Sequence, residues 1–376
     1  MKFPLLPYSQ LVYDMLQTNP DVYTTRFTLR IDKQKVDVAR FQHAVETAVC
    51  NHPAFSIVVD KDGMQYASSL SDRFHSQYHS IDFVDEGDRV KVRVAYNRIL
   101  GDTKSELVFF EDIIRAYQEL PLQPDHYWDY LERVEQEKAL PRYAANRQWL
   151  EAQYGQISCP VHPRTDRSLN ADDYGDEGVY MEDYTAMRSA LIKLAEEQLL
   201  SLTAVFSLAS ALAIMEYNGT KDAALTWAYD GRETQEEQRI YGSLHRDIPF
   251  HIKVNGERLK VKGDLIRQAR NQIRSGIAHS SYPLTLTKPH AYTWNVALNV
   301  LARPTVEEMD ETFPFPFEVV SPADEQKPAY ALLDVEILDT EQLYICYRYS
   351  ASHYKPESIK KFADLVRKYV EWLLEE

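Results

Sequence analysis

From Arg89 onward the apolar residues stand at every second position: Val90, Val92, Val94 and Tyr96 against Lys91, Arg93 and Ala95. That is the period of a strand buried on one face. Across the polar run Asn97-Arg98-Ile99-Leu100-Gly101-Asp102-Thr103-Lys104-Ser105 the period becomes helical, with Leu107, Phe110, Ile113, Ile114 and Tyr117 on one side. A chain that changes period in this way must build mixed layers of strand and helix. The junction itself, with Asp102, Thr103 or Ser105 able to cap the helix, is where a scaffold commonly presents chemistry.

The same grammar runs along the rest of the chain. Val38, Phe41, Ala44, Val45, Ala48 and Val49 predict an amphipathic helix over 36–50, ended at Asn51-His52-Pro53 because Pro53 disfavours helical dihedrals at His52. Phe55 to Val59 reads as a strand, with Asp62-Gly63 as the turn into Met64-Gln65-Tyr66. Residues 126–153 read as helical. Further helices are expected over Ala186–Leu200 and Leu202–Tyr217, a turn at Asn218-Gly219, a strand over Ala223–Tyr229 and a hairpin pairing 330–338 with 342–349. A closing helix begins at Pro356, a favoured first-turn residue, and carries Ile359, Phe362, Ala363, Val366, Tyr369 and Leu373 on one face. With 376 residues the chain exceeds one ordinary domain. The Pro-, Asp-, Asn- and Gly-rich stretch 159–178 is taken as the connection, giving an N-terminal lobe at 1–160 and a C-terminal lobe at 161–376.

Several function classes fall away. Lys and Arg number 42 against 57 Asp and Glu, a net charge of −15 that repels a phosphate backbone, and no basic run offsets it. Cys50, Cys159 and Cys346 stand far apart with no metal-ligand spacing, so the spacing supports neither a zinc site nor a disulfide framework. The N-terminus has no signal-peptide pattern and no apolar run approaches the ~20 residues of a membrane span, which points to a cytoplasmic protein. His245-Arg246-Asp247 imitates a kinase triplet, but Ile252 stands where the metal-binding Asn belongs. Asn218-Gly219-Thr220 is formally a glycosylation sequon and reads better as a turn. No serine-hydrolase elbow, P-loop or dinucleotide fingerprint is present. The 25 tyrosines suit a surface that is partly apolar and partly wet, such as a cleft or an interface.

What remains is an ordered set of short motifs: Leu6-Pro7-Tyr8-Ser9-Gln10, Asn51-His52-Pro53-Ala54-Phe55, the Asn97–Ser105 loop, Tyr127-Trp128-Asp129-Tyr130, Trp149, Gly231-Arg232, Tyr241-Gly242 through Ile248-Pro249, and His279-Ser280-Ser281-Tyr282-Pro283-Leu284. In this order they resemble the condensation domains of nonribosomal peptide synthetases, over nearly the whole chain. The resemblance implies a chloramphenicol-acetyltransferase-like α/β fold: two related lobes in a V, with a tunnel between them where carrier-bound substrates meet. It implies no directly bound cofactor and no metal, substrates on the phosphopantetheine arms of carrier proteins, neighbouring synthetase modules as partners, and a monomeric unit.

The family's His-His-x-x-x-Asp-Gly loop aligns with Asn97, Arg98, Asp102 and Thr103, so only the Asp survives. The second His of the family is a general base or positions the attacking amine, and Arg98 stays protonated and cannot be a base. Arg98 can still hold an oxyanion or carboxylate by charge-assisted hydrogen bonds. Asp102 reads as a helix N-cap, or as the i+4 partner of Arg98, before it reads as catalytic. His245, His279 and Asn299 are the candidates for lining the tunnel, although a histidine at a random position is more often a satisfied or surface residue. The basic clusters Arg267-Arg270-Arg274 and Lys355-Lys360-Lys361-Arg367-Lys368 are candidate docking patches for an acidic carrier, with a solvated face as the plainer reading.

Three functions follow, in order. The first is a condensation-like domain with a degenerate loop that binds carrier proteins or a tailoring partner, a role the resemblance attaches to members with Arg at the second His position. The second is an active amide-forming condensation enzyme, in which proximity does most of the work. An epimerisation domain comes last.

Overall fold

The computed structural model describes residues 2–17, 23–69, 74–154, 159–167, 175–254, 262–286, 297–301, 317–320, 329 and 331–375. The chain divides into two compact units. Unit 1 comprises Met1–Leu140, Asp230–His245 and the stretch that carries Phe317–Val320; unit 2 comprises Pro141–Tyr229, Arg246–Arg303 and Gln326–Glu376.

In unit 1 the elements run β1 (Phe3–Pro4), α1 (Pro7–Leu16), β2 (Thr24–Asp32), α2 (Val38–Asn51), β3 (Ile57–Val59), β4 (Met64–Ala67), β5 (His79–Asp85), β6 (Arg89–Asn97), α3 (Thr103–Tyr117) and α4 (Tyr127–Lys138). Strand β6 is central: it pairs antiparallel with β2 on one side, Thr24 opposite Asn97, and with β5 on the other. The alternation that opened the sequence reading is the pleat of this strand, with Val90, Val92, Val94 and Tyr96 buried. Against the sheet lie α2 and α3, and the buried face of α2 is Phe41, Ala44, Val45, Ala48 and Val49, as its spacing predicts. Asp37 caps α2 by accepting from Arg40 N at 3.0 Å. The strand expected from Phe55 begins later, at Ile57. Pro53 occupies the first turn of a short 3-10 helix over Pro53–Ser56, which consumes the residues in between.

Unit 2 contains α5 (Pro141–Tyr154), β7 (Glu177–Asp183), α6 (Arg188–Gln198), α7 (Leu202–Asn218), β8 (Asp222–Tyr229), β9 (Arg246–Lys253), α8 (Lys262–Ala278), β10 (Ala297–Leu301), β12 (Leu333–Asp339), β13 (Leu343–Ser350) and α9 (Pro356–Leu374); the intervening β11 (Phe317–Val320) pairs with β2 of unit 1. The sheet order is β7-β13-β12-β10-β8-β9, with β10 parallel to both neighbours and the other pairs antiparallel. Helix α7 is apolar on every side because it is enclosed, buried from Thr203 to Met215 between strands and the apolar face of α9. Among the described residues no single helix is long and apolar enough to cross a membrane.

Two boundaries differ from the sequence reading. The helical stretch at 126–153 is two helices, because Pro141 starts a new one after α4 ends. The units part at Leu140 and Pro141 rather than at 160, and they interleave. The reason is hydrogen bonding: the polar segment 159–167 is tied into unit 2. Pro160 O accepts from Ala224 N at 3.1 Å, and Pro163 O accepts from Tyr354 Oη at 2.7 Å. Asp166 accepts from Lys355 N and Ser358 Oγ, both at 2.8 Å. Asn218 closes α7 and donates from Nδ2 to His162 O at 2.9 Å, so the formal sequon is a turn with a structural task.

Candidate functional site

Helix α3 begins at Thr103, and Asp102 is its N-cap. Ser105 N donates to Asp102 Oδ1 at 3.0 Å and Asp102 N donates back to Ser105 Oγ at 3.2 Å, a reciprocal capping box in which serine takes the position usually held by Glu. The cap reading of Asp102 therefore holds, and its pairing with Arg98 does not. The partner of Asp102 is Arg232, fully buried, whose Nη1 and Nη2 donate to the two carboxylate oxygens at 3.0 Å each. Leu244 N at 3.0 Å and His245 N at 3.2 Å also donate to Oδ2.

Arg232 in turn donates Nη2 to Ile240 O at 3.1 Å and to Gly242 O at 3.0 Å, while its Nη1 reaches Asp230 Oδ1 at 2.6 Å. Gly231, at φ 75°, supplies the left-handed turn that sends the next side chain inward. Burial alone would raise the Asp102 carboxyl, but the guanidinium of Arg232 outweighs it and holds the group down to about 2. Both oxygens of this carboxylate accept several hydrogen bonds, and Asp102 thereby frames the loop.

Arg98 faces elsewhere. Its Nη1 lies 3.1 Å from Glu106 Oε1 and 3.3 Å from Thr103 Oγ1, both on the first turn of α3, and the guanidinium stands 6.0 Å from the centroid of the Tyr96 ring. Tyr96 Oη donates to the same Glu106 oxygen in a very short hydrogen bond. Burial, with the Glu106 charge beside it, raises the Tyr96 phenol, which therefore stays protonated. Asn97 is buried. Its Oδ1 accepts from Ile99 N at 3.0 Å and its Nδ2 reaches Thr24 Oγ1 at 3.3 Å, fixing the turn that leaves β6. It also forms part of the wall of an open pocket of about 450 Å³, with Tyr13, Thr24, Arg26, Tyr78 and His79.

Of the other candidates, His245 is part of this cluster. Its backbone binds Asp102, its ring meets Tyr8 edge-on at 4.0 Å, and its Nδ1 is buried with no hydrogen-bond partner among the described residues. His279 belongs to unit 2. It ends α8 with Nδ1 2.8 Å from Ser275 O and its ring stacked on Trp149 at 4.1 Å, a satisfied residue with a packing role. Asn299 sits on β10 in register with Glu336, and its side chain lies outside the described part of the structure.

Two features lie beyond the sequence reading, which offered Ser105 only as a possible cap. Ser105 Oγ, 2.9 Å from Asp102 Oδ1 and from Gly242 O, links the loop to the 230–245 segment. A second buried cluster lies beneath: His52 Nδ1 is 2.8 Å from Asp125 and its Nε2 is 3.2 Å from Asp112, which Arg239 and Asn51 also hold. Burial works against charge on His52, yet the hydrogen bonds and charges of the two carboxylates prevail and raise its pKa. The Asn-His-Pro motif was the available signal; its partners lie 60 and 73 positions away.

The family profile described as "Condensation domain" matches residues 88–376. A comparison with curated proteins gives no match. Among solved structures, the chain is similar to the first condensation domain of the calcium-dependent antibiotic synthetase, with 15% identity, a TM-score of 0.74, and coverage of 100% of this chain and 97% of that one. It is also similar to the epimerization domain from the third module of tyrocidine synthetase B, at 18% identity and TM-score 0.78, covering 99% and 97%. A third similarity is to the nonribosomal peptide synthetase FmoA3, at 17% identity and TM-score 0.76, covering 100% of this chain and 43% of that one. Identities this low establish the shared fold, and the profile match spans well over half of the chain.

Proposed function

The chain belongs to the condensation-domain family of nonribosomal peptide synthetases, and from that premise we propose that it is a condensation-like domain that binds carrier proteins while contributing little or no general-base catalysis. One observation carries this reading: the guanidinium of Arg98, at the position of the family's second His, is bound to Glu106 and Thr103 on its own helix. A permanently protonated group, already paired, accepts no proton from an attacking amine. The frame around it is nevertheless complete, since Asp102, Arg232, Ser105 and the Gly242 carbonyl hold the loop at the end of β6. A loop kept rigid without its base is suited to positioning and recognition.

The V arrangement of two chloramphenicol-acetyltransferase-like lobes with a tunnel for phosphopantetheine arms is part of this proposal. So is a synthetase-module context, such as that of FmoA3. The net charge of −15 opposes an acidic carrier. On α9, three of the expected docking cations are already paired, Lys360 with Asp364, Arg367 with Glu182 and Lys368 with Glu216. Carrier binding is therefore weak and salt-sensitive, on the order of micromolar or weaker, as befits a small transient interface.

The test is a transfer assay with aminoacyl groups loaded on donor and acceptor carrier proteins, beside a titration of phosphopantetheinylated carrier at low and high salt. The expected result is salt-sensitive binding with peptide formation slower by at least about 10²-fold than a His-loop domain of the same family gives, the lower bound of a lost general base. Condensation at the full rate would establish the active-enzyme reading instead. Carrier binding that is absent at every salt concentration would remove the carrier-docking role.

A further inference from the structure

Cys159, Asp222 and His251 are separated by 63 and 29 positions, and unit 2 brings them together. Strands β8 and β9 pair antiparallel with Asp222 opposite Lys253 and Ala224 opposite His251, so Asp222 and His251 are diagonal neighbours on one face of the sheet. Ala224 between them is small and buried. Across it runs the chain at 159–161, held by the hydrogen bond from Ala224 N to Pro160 O, and this sets Cys159 over the same face. The thiolate sulfur, a carboxylate oxygen and an imidazole nitrogen all lie within 4.8 Å of one another, and His251 Nε2 is 3.6 Å from Asp222 Oδ2. That nitrogen is buried and has no hydrogen-bond partner among the described residues, an unsatisfied polar atom that needs an explanation.

We propose that Cys159, Asp222 and His251 form a binding site for a single divalent transition-metal ion, zinc by preference, with water in the fourth position. Bonds of about 2.0–2.3 Å to tetrahedral zinc place ligand atoms roughly 3.3–3.8 Å apart, so the His–Asp pair is already spaced for it and the sulfur needs only a side-chain adjustment. A thiolate with an imidazole selects zinc or cobalt over magnesium or calcium. The charges close: the ion's two positive charges meet one thiolate and one carboxylate, giving a neutral centre in a half-buried place. Cys159 S–H loses its proton to solvent as the S–metal bond forms, while His251 coordinates through the lone pair of its neutral ring.

Burial and the nearby Asp222 push the free thiol up to about 12, and burial lowers the His251 pKa. Ligation through sulfur displaces the thiol proton, so binding strengthens as pH rises. The ion would fasten the segment after α5 to the β8–β9 edge, a structural task independent of the Arg98 loop.

The full chain, stripped with a chelator, is titrated with Co²⁺ and then Zn²⁺. Expected are one equivalent bound, the visible bands of tetrahedral Co²⁺ with a near-ultraviolet thiolate charge-transfer band, displacement by Zn²⁺, and affinity rising about tenfold per pH unit. C159S abolishes the charge-transfer band, and C159S and H251Q each weaken binding by at least about 100-fold, more than the loss of an indirect partner costs. In the unaltered chain, equilibrium dialysis of the metal-free protein against Zn²⁺ retains one equivalent, which needs no variant to fold. No saturable binding, or binding without thiolate absorption, would each overturn the proposal.

Discussion

Replacing Arg232 by Met keeps much of the side chain's volume and removes its charge, leaving Asp102 ionised in a site closed to water. Three backbone donors remain on that carboxylate, from Ser105, Leu244 and His245. The Ile240 and Gly242 carbonyls lose their Nη2 donor. Removing one partner of a buried ion pair costs about 3–5 kcal/mol, and the surviving donors put this case toward the lower end. In the unaltered protein the Asp102 pKa falls from 3.8 to about 2. At 1.36 kcal/mol per unit, that linkage supplies about 2 kcal/mol, present above the unfolded value and lost as pH falls through the folded one.

Without Arg232 burial is opposed only by the surviving donors from Ser105, Leu244 and His245, so the carboxyl rises from its folded value and R232M loses less stability than the unaltered protein as acid protonates it. The difference between the two proteins is therefore largest near neutrality and shrinks toward about pH 4. Urea denaturation over this range measures it, with amide hydrogen exchange at Ser105, Leu244 and His245 as the local readout. A difference below about 1 kcal/mol, or one independent of pH, would refute the assignment of Asp102 and Arg232 as a mutually dependent buried pair.

G101A is expected to destabilise unit 1 by about 1–3 kcal/mol in the same denaturation assay, the range for overpacking. Its Cβ would fall 2.7 Å from Tyr241 Cε1 and 2.8 Å from Ser105 Cβ, both buried. For His52, whose folded pKa is raised above 6.5, the stabilisation is complete below that value and fades as pH rises through the folded pKa. H52N should remove this alkaline loss, which a denaturation series from pH 6 to 9 follows, while costing about 3 kcal/mol at the acid end. The double variant N97H/R98H is expected not to restore efficient peptide-bond formation between loaded carriers. Thr103 still stands at the family's Gly position and Asn97 gives up its bonds to Ile99 N and Thr24; full-rate transfer would show that the loop side chains alone were limiting.

What the sequence disclosed was local. Helices α2, α3 and α9 announced themselves because one periodic face each had to be buried, α7 because its run is apolar on every side, and the N-cap at Asp102 follows from short-range geometry alone. The error at Arg98 comes from the same locality. Positions four apart face each other on a helix, but Asp102 is the residue before the helix and turns its carboxylate back onto the exposed N–H groups, leaving Arg98 to reach Glu106 on the first turn. Strand β2 was missed although Phe27, Leu29 and Ile31 alternate with Arg26, Thr28 and Arg30. Arg232 was visible only as half of a short motif; nothing local connects it to a carboxylate 130 positions earlier. Cys159, Asp222 and His251 show the same limit, for strand register, not spacing, makes them neighbours.

The excursion of Asp230–His245 into unit 1, between two adjacent strands of unit 2, bears on how the protein is made. As the chain leaves the ribosome, the stretch up to Leu140 emerges while Arg232, the counter-charge of Asp102, and Tyr241 and Leu244, members of the unit 1 core, are still to be synthesised. Unit 1 cannot close its core until residue 245 is available, nor complete its sheet until β11 is, and by the first of these points β8 is waiting for β9. The two units thus mature together, and contacts so distant in sequence slow that step. For the same reason no single cut yields two self-sufficient halves: a fragment ending at Leu140 lacks the counter-charge of its own loop.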